Sequence, residues 1–387
     1  MFRKLRKYVN VSPVILFLVY LNCTSNSDVY IPDKIVTDFL TLELSFGAKD
    51  IKDEFLLARP VAITVNDDDD MIITDENRIK VFDKNGKEKV ILGRFGQGPG
   101  EFTQISRPML SPTGYLTVCD INYGYNVYSP ELELITKTNF RIIPFYRELN
   151  RKNDWVRLSL VNVYSLNEHQ RVVFINAREP KKEIIEYGVQ SIYFEDVDNY
   201  TEIARYRDED YISGSPISYQ GEINWGMLPN NRLIYTHTGL DRVIENDKAK
   251  YILHIVSLPN LEKTQITHEY APIELSDKAL NRILGLKEGS PEARKLRSVL
   301  KKTKYQVTLQ YLKVDRNFIF AFTNYRNEKN KYLADIFDAD NGMYIHSAYF
   351  PFVPSAIKNG CAYKFHVNEE GFYEYQKYKI DPVVYGK

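Results

Sequence analysis

The side chains that could do chemistry in this chain are few and scattered. Six histidines, His169, His237, His254, His268, His346 and His366, fall in different stretches of the sequence. A metal site assembled from repeated units would draw its ligands from one recurring position, and these histidines share none. His237 (IYTHT) and His366 (YKFHV) lie inside strand-like runs and are the two best placed to be ligands; the ordinary alternative is a half-buried imidazole with a structural role. Four carboxylates at Asp67 to Asp70 raise the thought of calcium, which takes several oxygen ligands. On an extended segment they point alternately to opposite sides, and no EF-hand glycine or closing glutamate follows, so a solvated turn is favoured. No GxSxG elbow and no HExxH are present. No cofactor is called for, and catalysis is the minority interpretation.

FGQGPGEF, Phe95 to Phe102, has the glycines of a phosphate loop. A Walker loop needs Lys-Ser/Thr and a helix N-terminus after its last glycine. Here neither follows Gly100, Glu101 would repel an anion, and strand signals lie on both sides. The stretch is expected to be a structural connection in which glycine supplies positive φ and proline stiffness. Trp155 and Trp225, with Tyr123, Tyr125 and Tyr219, lie in or near connections between strands and are the candidate anchors for a protein or small ligand. In a chain with 29 Tyr and 20 Phe, most such rings must serve packing.

The elements that would position these residues are strands. Tyr, Phe, Val and Ile suit pleated, half-buried surfaces. Charge is balanced, 51 Lys+Arg against 51 Asp+Glu, so no global field favours nucleic acid. From Arg59, RPVAITV, MIITDENRIKVFDKNGKE and KVILG read as four short strands joined by an acidic turn, a second turn at Asp75 to Arg78 and an Asn85-Gly86 hairpin. The same order returns as RPMLSPTGYLTVCDINYGYNVYSPELELITKT. Asp75 and Asp120 end equivalent strands, and Val81-Phe82 and Val127-Tyr128 follow them, at an offset of roughly 46 residues. Ile336-Phe337-Asp338 before Asn341-Gly342 marks a later copy. Blade starts at Arg59, Arg107, near Leu158, near Glu222, Gln306 and near Pro354 give about six units, with five and seven also compatible with the spacing. The expected fold is therefore an all-β, six-bladed β-propeller of four-stranded antiparallel blades. FLTLELSF, Phe39 to Phe46, is expected to pair with the last blade and close the ring.

Two stretches lie outside this pattern. The N-terminus places Arg3, Lys4, Arg6 and Lys7 before a short apolar run, Val14 to Leu21, too short for a spanning helix. It reads as a secretory signal over 1–22, with Cys23 as the acylated residue of a lipoprotein and 23–36 as a tether. Tyr20 and Asn22 depart from the usual residues around such a cysteine, so cleavage by an ordinary signal peptidase or an uncleaved anchor stay open. Within the propeller at 37–387, SDKALNRILGLKEGSPEARKLRSVLKKTK has helical spacing and two helix starts, Ser276 and Ser290, and predicts a helical hairpin at about 275–304. Cys119 and Cys361 lie in apolar, strand-like segments and fit small core residues.

With these residues on the page, the chain resembles a family. The first repeat is similar to the NHL type, and the whole is similar to six-bladed β-propeller lipoproteins of Bacteroidota. That resemblance implies an exported propeller held in the cell envelope by lipid, at the outer membrane or periplasmic face, and no agreed reaction. The function expected is a binding or scaffold module for a protein or small ligand, with membrane contact through the lipid and no nucleic acid. The alternative is a metal-dependent lyase or hydrolase with its site at the propeller channel.

Overall fold

The computed structural model describes residues 35–387 apart from 49–50, 122–123, 141–142, 181–184, 198, 213–214, 217–220, 246–247 and 276–304. The signal segment with Cys23, the residues Tyr123 and Tyr219 and the expected helical hairpin lie outside the described residues. The strands form six antiparallel blades. Blade 1 covers 60–92, blade 2 105–138, blade 3 157–216, blade 4 223–270 and blade 5 309–350. Blade 6 combines Ala356–Lys358, Cys361–Val367 and Tyr373–Ile380 with Leu40–Phe46 from the other end of the chain. The first strand of each blade is the innermost: those of blades 1 and 2, 2 and 3, 4 and 5, 5 and 6, and 6 and 1 adjoin one another.

Middle strands are covered on both faces by neighbouring blades, so they read as apolar runs rather than alternating ones. MIITD (Met71–Asp75) and LTVCD (Leu116–Asp120) are buried along their whole length. The core accordingly is divided among the seams between blades. Phe46, Tyr363 and Tyr375 of blade 6 pack with Ile63, Met71 and Phe82 of blade 1. Ile72 and Val81 of blade 1 meet Leu116 and Val118 of blade 2. Tyr164, Phe174 and Ile192 join Leu233, Tyr235 and Val256 across blades 3 and 4, and similar clusters fill the remaining seams.

The repeated aspartates have a mechanical task. Asp75 ends the second strand of blade 1 and accepts hydrogen bonds from the backbone N–H groups of Ala58 (3.1 Å) and Arg59 (2.6 Å), fixing the chain where it enters the blade. Lys80 neutralises the buried carboxylate at 2.7 Å and donates also to the Leu56 carbonyl. Asp120 does the same in blade 2, accepting from the Thr103 N–H and hydroxyl, each at 2.7 Å. In blade 4 the Thr238 hydroxyl accepts from the Glu222 N–H at 3.1 Å.

Ring closure follows the expected route. Leu40–Phe46 pairs antiparallel with Tyr373–Ile380, Leu40 opposite Ile380 and Phe46 opposite Tyr375. Ile35–Val36 adds a short parallel pair to the outer edge of blade 5, opposite Ser347 and Ala348. One element was not expected, the helix α1, Pro144–Asn153, between blades 2 and 3. Proline at its first position and a left-handed Asp154 at its end delimit it, while Phe145, Tyr146 and Leu149 bury its inner face.

The closing strand supplies a test. Phe46 is buried between Phe82 and Tyr375, with ring centroids 5.3 and 6.2 Å away, whereas Leu42 on the same strand is 51% exposed. Phe46→Ala is expected to lower the free energy of urea unfolding by about 3–5 kcal/mol, and Leu42→Ala by no more than about 0.5 kcal/mol. Equal effects would show that the strand does not close the ring.

Candidate functional site

The aromatic residues singled out in the sequence are mostly interior. Trp155 is 5% exposed and Tyr125 2% exposed, both in the seam shared by blade 2, α1 and blade 3. Neither lies in an exposed connection: Trp155 lies between α1 and blade 3, Tyr125 lies on strand Gly124–Tyr128 of blade 2, and the area of both is buried within the fold. Trp225 lies on the innermost strand of blade 4, partly buried and stacked on Phe174 with centroids 4.2 Å apart. Tyr123 and Tyr219 fall outside the described residues.

His237 is completely buried in blade 4. Its Nδ1 accepts from the N–H groups of Gly239 (3.3 Å) and Leu240 (3.1 Å), so it holds its own turn together. Burial lowers its pKa from 6.5 to about 4, although Asp241 pulls the other way. Asp241 in turn accepts from the His237 N–H at 2.7 Å and the Tyr206 hydroxyl at 2.6 Å, with His254 Nε2 at 3.2 Å. His366 lies on blade 6, opposite Glu374. Among the described residues no group of three or more His, Cys, Asp or Glu side chains is placed to hold a metal ion. Cys119 and Cys361 are free thiols on blades 2 and 6, and burial pushes Cys119 up to about 12.

The acidic run and the glycine loop are both occupied by the protein itself. Lys358 meets Asp67 at 2.6 Å, Asn359 donates to Asp69 at 2.8 Å, and Lys89 meets Asp70 at 2.5 Å. In FGQGPGEF the Glu101 carboxylate folds back over the glycines, accepting from the Gly98 N–H at 2.7 Å and from Arg94 Nε at 2.7 Å. A Cβ on Gly96, whose φ is +152°, would come within 2.1 Å of Glu101 Oε2. A side chain there would have to push the Glu101 carboxylate away from the Gly98 N–H, so glycine keeps the loop's own bond intact. Lys137 donates to the carbonyls of Gln97 (2.9 Å), Gly98 (2.8 Å) and Glu101 (3.0 Å) and pins the loop from blade 2.

A concave site does exist where the sequence pointed to none. Between α1 and the outer strands of blade 3 lies a groove of about 250 Å³ with Phe145, Leu149, Tyr193 and Tyr200 as its apolar walls. Phe145 and Tyr200 have centroids 3.9 Å apart, and Tyr193 meets Phe145 edge-on at 5.1 Å. The rim is polar. Arg205 donates to Glu202 Oε2 (2.8 Å), Asn153 Oδ1 (2.8 Å) and the Tyr193 oxygen (2.9 Å), and the Tyr193 hydroxyl donates to Glu202 at 2.9 Å. Trp155 enters indirectly, since the Arg205 guanidinium lies over its ring at 5.3 Å. Burial pushes the Tyr193 phenol up to about 12, helped by its bond to the Glu202 carboxylate. Burial works against the Arg205 charge, and Tyr193 and Glu202 more than offset it, so its pKa is raised.

A β-bulge makes the rim. Residues three apart on a regular strand face opposite sides, so Glu202 and Arg205 would be separated. The pairing jumps from Ile192–Ala204 to Tyr193–Glu202, leaving Ile203 as the extra residue. Glu202 is thus set opposite Tyr193 and Arg205 opposite Ser191, both on the groove face.

Comparison with known proteins gives fold and little more. Residues 33–122 match a family described as a 6-bladed beta-propeller. No curated protein sequence shows significant similarity to this chain. Among solved structures, the chain is similar to a protein from Bacteroides fragilis described as exported, with TM-score 0.50 and 12% identity over 90% of this chain and 97% of that one. A gluconolactonase from Xanthomonas campestris aligns with TM-score 0.35 and 9% identity, over 84% of this chain and 86% of that one. The extracellular domain of a hybrid two-component system from B. thetaiotaomicron aligns with TM-score 0.33 and 11% identity, over 90% of this chain and 42% of that one. At these identities the likeness to solved structures speaks to the fold alone, and only the first TM-score is high enough to do so.

His237 generates a pH prediction. A histidine held neutral in the fold leaves the unfolded state with more bound protons between the folded and unfolded pKa values. Its contribution is complete above pH 6.5 and is lost as pH falls towards about 4. Stability measured by denaturant unfolding should decline over that window, and the decline should be shallower in His237→Asn, whose amide oxygen can still accept from the turn. An unchanged slope in the variant would mean that the fold does not lower the His237 pKa.

Proposed function

We propose that this chain is an exported β-propeller, lipid-anchored at Cys23, that binds a small polar ligand with a flat or ring face in the cell envelope. The observation that carries the binding part is the groove between α1 and blade 3, with aromatic walls below a rim of hydrogen-bonding groups. Of the walls, Phe145, Leu149 and Tyr193 are buried, so the partly buried Tyr200 ring is the face offered to the apolar side of a sugar or similar ring, while charged and amide groups at the edge fix its orientation. A volume of about 250 Å³ lies just under the ~300–1,000 Å³ common for ligand pockets, a size that suits one sugar ring or an amino acid rather than a long chain. Export rests on the basic and apolar residues ahead of Cys23, and a fold relative described as exported is in keeping with it. A likeness to NHL-type repeats and to lipoproteins of Bacteroidota supports the same address. The channel-centred enzyme alternative has no set of metal ligands among the described residues to support it.

Saturation-transfer NMR against a panel of neutral monosaccharides and free amino acids tests the groove. At least one member should show transfer, and Tyr200→Ala should weaken its binding by roughly tenfold, the value of one aromatic contact together with its buried area. Transfer that survives Tyr200→Ala unchanged, or none from any member, would remove the groove as the site. Fractionation tests the anchor: Cys23→Ser should move the protein from the membrane to the soluble fraction, and retention in the membrane would end the lipid assignment.

A further inference from the structure

The axis of the ring carries a second feature, independent of the groove. The innermost strands of blades 2 and 5 stand three places apart in a ring of six and so face each other across the axis. One carries Arg107 and the other Lys313. The Arg107 charge acts on Lys313 of blade 5, on Tyr164 of blade 3 and on Tyr375 of blade 6. A side chain on blade 2 comes near residues of those three blades together only if it reaches into the centre of the ring.

Neither cation is neutralised. Lys313 Nζ donates to the Ser355 carbonyl at 2.9 Å and has no carboxylate partner among the described residues. Arg107 is exposed and forms no ion pair with any described residue. Two phenols lie near them. Tyr164 is on the innermost strand of blade 3 and Tyr375 two strands further out on blade 6, and neither hydroxyl makes a hydrogen bond with a described residue. A pair of like charges with no counter-charge is costly. Burial, then the Arg107 charge, lowers Lys313 to about 8, so much of it remains protonated at neutral pH. The charged groups acting on this cluster are few: Arg107 on Lys313 and on both phenols, and Asp75, already paired with Lys80, on Tyr375.

We propose that the axis of the propeller is a binding site for a small oxyanion, with Arg107 and Lys313 supplying charge and the Tyr164 hydroxyl of the innermost strand of blade 3 supplying a further donor. An anion with several oxygens, such as a sulfate, phosphate or carboxylate group, can accept from more than one such donor and offsets the uncompensated charge in one step. Charge-assisted hydrogen bonds of this kind are each worth enough to set affinity. The site is distinct from the groove on blade 3, so either can fail without the other.

Calorimetric titration of the purified protein with sulfate and, separately, with acetate, each against sodium chloride of equal ionic strength, tests the site. Sulfate keeps its charge over the range of interest, so a change of affinity with pH reports the protein. Saturable binding of at least one anion is expected near neutral pH, weakened roughly tenfold or more in Arg107→Gln and in Lys313→Gln. The acetate arm distinguishes a carboxylate ligand from a sulfate- or phosphate-like one. In the unaltered protein, affinity should fall as pH rises through about 8, where Lys313 loses its charge. That measurement needs no substitution and stands even where the Lys313 variant does not fold. No saturable binding of either anion, binding equal in the native protein and in Arg107→Gln, or an affinity flat across that pH range would overturn the proposal.

Discussion

A ring of blades has two ends that must be made into none, and every other feature of this molecule presupposes that Leu40–Phe46 reaches Tyr373–Ile380. Each apolar cluster lies between blades, so no blade owns a core. An open ring would expose the seam between blades 6 and 1 and leave two unpaired sheet edges, both liabilities in water. Phe46 answers both at once, because the strand that carries it completes the hydrogen bonding of blade 6 while its ring fills the seam with blade 1. Closure is also what holds innermost strands from opposite sides at a fixed separation. Without it Arg107 and Lys313 would be two ordinary surface cations.

The seams explain the composition. Flat interfaces between sheets take large rings well, and Phe and Tyr pack edge-on through them, as Phe39 on Phe350 at 4.7 Å and Phe322 on Phe350 at 5.0 Å. Tyrosine brings a hydroxyl that must find a partner when buried. Tyr251 finds Asp335 at 2.8 Å, and Tyr385 finds Asp315 at 2.7 Å. At Tyr164, on the innermost strand of blade 3, the phenol has no such partner among the described residues and is left to donate to something else. Asp75 shows the converse economy: one carboxylate orders the entry of a blade and balances a lysine that would otherwise be buried with its charge unmet.

Much of the ring could be read in the sequence because its signals are local and repeated. Asp75 and Asp120 recur because the entries to blades 1 and 2 need the same acceptor, and the Asn-Gly hairpins recur because the strands need the same turn. The blade starts inferred near Arg59, Arg107, Leu158, Glu222, Gln306 and Pro354 lie within a few residues of the observed first strands. The groove was not legible for a physical reason. Its rim depends on one unpaired residue, Ile203, which turns Glu202 and Arg205 to a common face against the two-residue period. Its other wall is a ten-residue helix too short to show a sustained helical pattern. Trp155 misled for a related reason, since a connection between blades of a propeller can run inward through a seam and its sequence then looks like that of a surface loop; Tyr125 lies on a strand, Gly124–Tyr128, whose five residues are all buried.

Blade 3 is built unlike its neighbours, with outer strands of 12 and 14 residues where the inner strands of blades 1 and 2 have 6. Blades radiate, so length added at the rim lies far from the hub and leaves the angles between blades unaltered. The periphery is in this sense mechanically silent: a strand can lengthen, slip a residue into a bulge or acquire a helix without the axis registering the change. The groove on blade 3 has been grown at the one place in such a molecule where novelty carries no geometric debt to the rest of the wheel.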